Sequence, residues 1–208
     1  MIRRIFLAAV LALATGSASA SATTATAFGD SFTAPSTTWY FKLALGDDNF
    51  AKSGAVCNSA LTSLAGKRLA TQVKKWTAAG KPVGNDLILF IGINDVQLTD
   101  NLEASKSAYR TAVGTFNPAV IAAGGKLILV QIPDLGRMPL YKGTAKQATM
   151  TTRSQAWNTF VNEVAETYGT RIVDLFNLLA DPRLIGPDKL HPNARGQKVI
   201  ADAIAAQL

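Results

Sequence analysis

Residues 86–95 read DLILFIGIND, an apolar run closed by Gly92 and followed by the polar pair Asn94 and Asp95. A continuous β-rich run bounded by turn residues suits a strand covered on both faces. KLILVQI at 126–132 is a second run of this kind, and RIVDLF at 171–176 a shorter one. Residues 24–28 and 49–52 are weaker strand candidates. Between the runs lie segments 37–45, 59–79, 104–123, 149–168 and 193–207. Their apolar residues recur three and four apart, as in Trp157, Phe160, Val161, Val164 and Tyr168, which predicts helices. Gly46, Gly80, Gly124 and Gly169 stand where these helices should stop, and Pro118 should kink or divide the third. Strand and helix alternate five times, so the expected fold is a doubly wound α/β domain with a mostly parallel sheet. Pattern alone leaves the two common strand orders open, but both place ligands at the carboxyl ends of the strands.

The chain has 208 residues and a formal charge of +7. Arg3 and Arg4 precede an apolar stretch over 5–14 and the small-residue run GSASASA at 16–22. That is the pattern of a secretory signal peptide cleaved near Ala20 or Ala22, with a core too short to span a bilayer. The expectation is a leader over 1–20 and one domain over 21–208, secreted or periplasmic, with 19 basic residues against 14 acidic. No later stretch is apolar enough to span a membrane, and no cysteine follows the leader core to take a lipid, so no stable membrane anchor is expected. Cys57 is the single cysteine and His191 the single histidine, which excludes an internal disulfide and the usual zinc sites. The scattered basic residues read as a solvated surface, so no nucleic-acid partner is expected.

Polar residues cluster after the predicted strands: Gly29-Asp30-Ser31 after the first, Ser53-Gly54-Ala55 after the second, Gly92-Ile93-Asn94-Asp95 after the third, Asp188-Lys189-Leu190-His191-Pro192 beyond the fifth. Pro192 pushes His191 out of helical geometry, onto the loop before the last helix. Asp188 can fold back onto its Nδ1, leaving Nε2 to accept a proton from a nucleophile. Ser31 is the candidate nucleophile, and the N–H groups of Ser31 and Gly54 with the Asn94 amide are candidate donors to an oxyanion. On residue type alone, Ser31 equally suits a helix cap, Gly54 and Asn94 plain turns, and Asp188 a turn or cap.

Phe28-Gly29-Asp30-Ser31, Gly54, Gly92-Ile93-Asn94-Asp95 and Asp188-Lys189-Leu190-His191-Pro192 together resemble the four blocks of the GDSL/SGNH hydrolase superfamily, in the family's order. The segments 50–55 and 131–139 also resemble those of GDSL lipase/esterase members. The resemblance implies a three-layer α/β/α fold with a five-stranded parallel sheet of flavodoxin-like order 2-1-3-4-5. It also implies a catalytic triad of Ser31, His191 and Asp188 and an oxyanion hole from Ser31, Gly54 and Asn94. The implied activity is that of a cofactor-free, metal-free serine esterase or lipase working through an acyl-enzyme. Two departures, Phe32 in the first block and Lys189-Leu190 before His191, bear on substrate shape rather than mechanism. Phe32, Met138, Leu140 and Tyr141 are candidate lining for an acyl pocket. No G-x-S-x-G elbow, P-loop or dinucleotide fingerprint is present. The expected partner is a small-molecule, lipid or acetylated-glycan ester. A carbohydrate O-acetyl esterase is the alternative within hydrolases, and a non-catalytic glycan- or surface-binding relative the alternative outside them.

Overall fold

The computed structural model describes residues 24–34, 38–58, 62–81, 83 and 86–208. The expected leader, its cleavage site and the first residues of the segment at 59–79 lie outside them. Strands β1 (Ala25–Gly29), β2 (Asp86–Phe90), β3 (Lys126–Val130) and β4 (Arg171–Val173) pair in parallel in that order. Their register sets Phe28, Leu89, Leu129 and Ile172 in one row across the sheet. Every residue of β1 and β2 is buried, as unbroken apolar runs require.

The expected fifth strand is not formed, and the sheet among the described residues has four. Segment 49–52 contributes one parallel bridge, Asn49 to Ala27, on the edge of β1 opposite β2. The Phe50 and Lys52 N–H groups donate to Ala27 O (2.8 Å) and Gly29 O (3.0 Å). Gly29 N–H, which should continue this ladder, donates instead to Gln72 Oε1 at 3.0 Å. A side chain has taken the place of the next backbone partner, so regular pairing ends there.

The helices are α1 (Trp39–Lys42), α2 (Leu69–Ala78), α3 (Ile93–Leu98), α4 (Leu102–Ala122), α5 (Gln147–Tyr168) and α6 (Ala194–Ala205). Helix α4 packs between α2 and α5, while α1 packs on α6. Phe28 reaches from β1 to Trp76 of α2 and Phe116 of α4, with ring centroids 5.9 and 4.3 Å away. Burying rings of this size is worth about 1.5–3 kcal/mol each. Helix α4 runs unbroken through Pro118, against expectation. Pro118 is exposed and Gly114, whose carbonyl loses its helical partner, is half-buried. Helix α3 is an addition: the sequence shows only a polar turn there, and a six-residue helix is too short to display a period.

Candidate active site

Strand β1 ends at Gly29, where a Cβ would lie 2.2 Å from Phe90 O, so only glycine lets the two strand ends approach. The chain then turns. Asp30 Oδ1 accepts the Phe32 N–H at 3.0 Å, and Asp30 O accepts from Thr33 and Ala34. No helix begins at Ser31, so its hydroxyl caps nothing. It donates instead to His191 Nε2, 2.8 Å away and 160 residues distant in sequence.

The loop carrying His191 is tied at both ends. Gly186 N–H donates to His191 O at 2.7 Å, and Asn193 caps α6 by accepting from Arg195 and Gly196. Asp188 Oδ1 accepts the Leu190 and His191 N–H groups at 3.0 and 2.9 Å, and Oδ2 lies 2.6 Å from His191 Nδ1. Burial works to raise the Asp188 pKa, but these hydrogen bonds and the imidazole outweigh it and hold it below the usual carboxylate value. An ionised carboxylate only accepts, so Nδ1 carries the hydrogen and Nε2 is free to receive the Ser31 proton. Lys189, inside this turn, has a φ of +67°, and its carbonyl accepts Leu140 N–H at 2.9 Å.

Gly54 and Asn94 belong to the same edge. Gly54 takes a φ of +73°, and the Asn94 amide, in the first turn of α3, donates one hydrogen to Ala55 O at 2.9 Å. Among the described residues, neither the Ser31 nor the Gly54 backbone N–H has a hydrogen-bond partner. Gly92, before α3, leaves no room for a Cβ, which would sit 2.3 Å from the Trp157 indole.

Beneath this surface lie two buried carboxyls. Burial, helped by the charge of Asp95, pushes the Asp30 pKa up to about 7, although the N–H groups of Phe32 and Ile93 oppose it. Asp95 is raised by burial too, while its oxygens accept from the N–H groups of Cys57 (2.9 Å) and Asn58 (3.0 Å). Burial first, then Asp95 and Asp30, push the Cys57 thiol well up, so it stays protonated and inert. Asp95 thus braces the Gly54 loop from below. Among the described residues, no three His, Cys, Asp or Glu side chains are grouped as metal ligands.

The candidate pocket residues divide. Phe32 and Met138 are buried in the core, with the Phe32 ring 5.5 Å from the imidazole as a floor under it. Tyr141 is half-buried, and its hydroxyl accepts from Gln97 Nε2 at 2.9 Å. Leu140 is exposed. Sequence reasoning missed Gln97 and Gln72. Gln72 is buried on α2 beside Leu69 and Trp76, and a glutamine on an apolar stripe was the available signal.

A parallel sheet with an Asp–His–Ser chain at its carboxyl edge defines a serine-hydrolase class of site. The sequence model of the GDSL-like Lipase/Acylhydrolase family matches residues 27–199, and the chain belongs to that family of ester-hydrolysing enzymes. Among solved structures it is similar to an α/β hydrolase enzyme from the metagenome of Lake Arreo, Spain. That match has 20% identity, 89% of this chain, 95% of that one and a TM-score of 0.65. It is also similar to an acetylxylan esterase from Geobacillus stearothermophilus (20% identity, 87% and 91% covered, TM-score 0.63). A lipolytic G-D-S-L family protein from Veillonella parvula shares 15% identity over 86% and 94%, with a TM-score of 0.61. No curated protein matches the sequence.

Proposed function

We propose that Ser31, His191 and Asp188 are the catalytic triad of an esterase, and that Ser31, Gly54 and Asn94 form its oxyanion hole. The observation carrying this reading is the continuous hydrogen-bonded chain from Asp188 through His191 to the Ser31 hydroxyl. His191 Nε2 takes the Ser31 proton as Oγ bonds to the ester carbonyl carbon. The carbonyl oxygen becomes an oxyanion facing the unpaired N–H groups and the second Asn94 amide hydrogen. The tetrahedral adduct collapses, the imidazolium gives its proton to the departing alcohol, and Ser31 is left acylated. Water, deprotonated by His191, repeats the sequence to release the acid.

A second reading, an O-acetyl esterase acting on carbohydrate, is favoured by the Gln97–Tyr141 bond. Gln97 lies one turn after Asn94, and Leu140 is tied to the His191 loop, so this bond closes the span between the two sides of the site. Such a bridge suits a short acyl group. The leader pattern at 1–20 supports secretion. The test is a p-nitrophenyl ester panel from acetate to palmitate beside acetylated xylan, with Ser31→Ala as control. Loss of all turnover in a variant of unchanged melting temperature is expected. A Ser31→Ala enzyme that still hydrolyses would end the reading.

A further inference from the structure

Gln72 makes two bonds to one glycine. Its Oε1 accepts Gly29 N–H at 3.0 Å and its Nε2 donates to Gly29 O at 2.8 Å. The side chain is buried, so these are exchanges without water; its oxygen takes the place of the missing strand partner at Gly29 N–H, while its NH2 joins the Lys52 N–H at Gly29 O. Gly29 leads directly into Asp30-Ser31. The start of this helix also ties the chain near the other backbone donor. Leu69 N–H donates to Val56 O at 2.8 Å, two residues beyond Gly54, and Val56 N–H donates at 3.2 Å to Lys67 O in the turn just before α2. Trp76, one turn after Gln72, locks α2 against Phe28 of β1. Helix α2 therefore grips the chain on both sides of the prospective oxyanion, through its own start on one side and the Gln72 amide on the other.

We propose that Gln72 is a positioning residue: by holding both backbone groups of Gly29, it fixes the Ser31 Oγ and N–H relative to Gly54. It touches no reacting atom. The inference rests on the proposed role of Ser31. Its contribution belongs to the transition state, where donors must already point at the oxyanion, because a misplacement of about 1 Å can cost on the order of 10²-fold. Ground-state binding of the ester does not depend on that alignment.

Two variants test it. Gln72→Met keeps length and apolar bulk but loses both bonds. It should lower kcat about 10- to 100-fold with KM within about threefold, measured on the folded fraction. Gln72→Glu keeps the length. Its neutral carboxyl accepts from Gly29 N–H and donates to Gly29 O as the amide does, whereas its ionised form can only accept. Burial raises the pH at which it ionises. The Gln72→Glu profile should gain a descending limb above the pH at which the new carboxyl ionises. Should Gln72→Met fail to fold, the Gln72→Glu profile alone decides. A folded Gln72→Glu enzyme that follows wild type through the pH at which its new carboxyl is seen to ionise by carboxylate infrared absorption, or a folded Gln72→Met enzyme with wild-type kcat, overturns the proposal. Run beside them, Ser31→Ala separates the two claims. If it is inactive while the Gln72 variants behave as wild type, only the role of Gln72 falls. If it is active, the nucleophile assignment falls and takes the positioning role with it.

Discussion

Asn94 is the residue whose two roles are easiest to separate. One amide hydrogen holds Ala55 O at 2.9 Å, and the other is the proposed donor to an oxyanion. Losing the first should cost about 1 kcal/mol of stability. Losing the second should cost about 2.7–4 kcal/mol at the transition state. Asn94→Ala is therefore expected to fold, to keep KM nearly unchanged and to lose 10²–10³-fold in kcat; a kcat within about threefold of wild type would leave Asn94 a turn residue. The placement of the candidate site residues was partly legible in the sequence, because Ser31 and Asn94 come just after β1 and β2, and Asp188 and His191 share the short loop before α6. Lys189 shows the limit. Its departure from the family pattern was visible, but its backbone was not: the turn that lets Asp188 meet His191 takes a φ of +67° there. Such a backbone strains any residue with a Cβ, here held by the Leu140 N–H.

The elements were read well where one signal dominated and poorly where two competed. The runs at 86–91 and 126–132 became β2 and β3 because nothing but burial acts on them. Segment 49–52 was a weaker edge-strand candidate by pattern, and Gln72, 43 positions from Gly29, occupies the ladder, which no local window reports. Pro118 erred the other way, since a local rule predicted a break that the packing of α4 between α2 and α5 overrides. The proline still leaves the Gly114 carbonyl without its helical partner. Pro118→Ala is expected to stabilise the protein, by up to about 3 kcal/mol, with unchanged activity. Denaturant unfolding measures it, and a lowered midpoint would mean that the helix geometry around Pro118 depends on the proline.

For the whole molecule, the buried carboxyls set a pH dependence that the surface charge does not. Asp30 moves from an ordinary value of 3.8 to about 7 on folding. Between those values the native protein holds a proton that the unfolded chain has released, so stability should fall as pH rises through that window and level off above it. Asp95 is raised as well and acts in the same direction. Asp188 is lowered, and its opposite contribution is lost only as pH falls through acidic values. Asp30→Asn should flatten the melting-temperature profile between pH 4 and about 7; an unchanged slope would place the titration elsewhere. Ser31 is proposed as the activated hydroxyl. The most direct measurement is the site of covalent labelling by an organophosphorus fluoridate, read by peptide mass spectrometry after inactivation. The account predicts one adduct per chain, on Ser31, formed only when His191 is present. An adduct on another residue, or complete inactivation without a bond to Ser31, would contradict it.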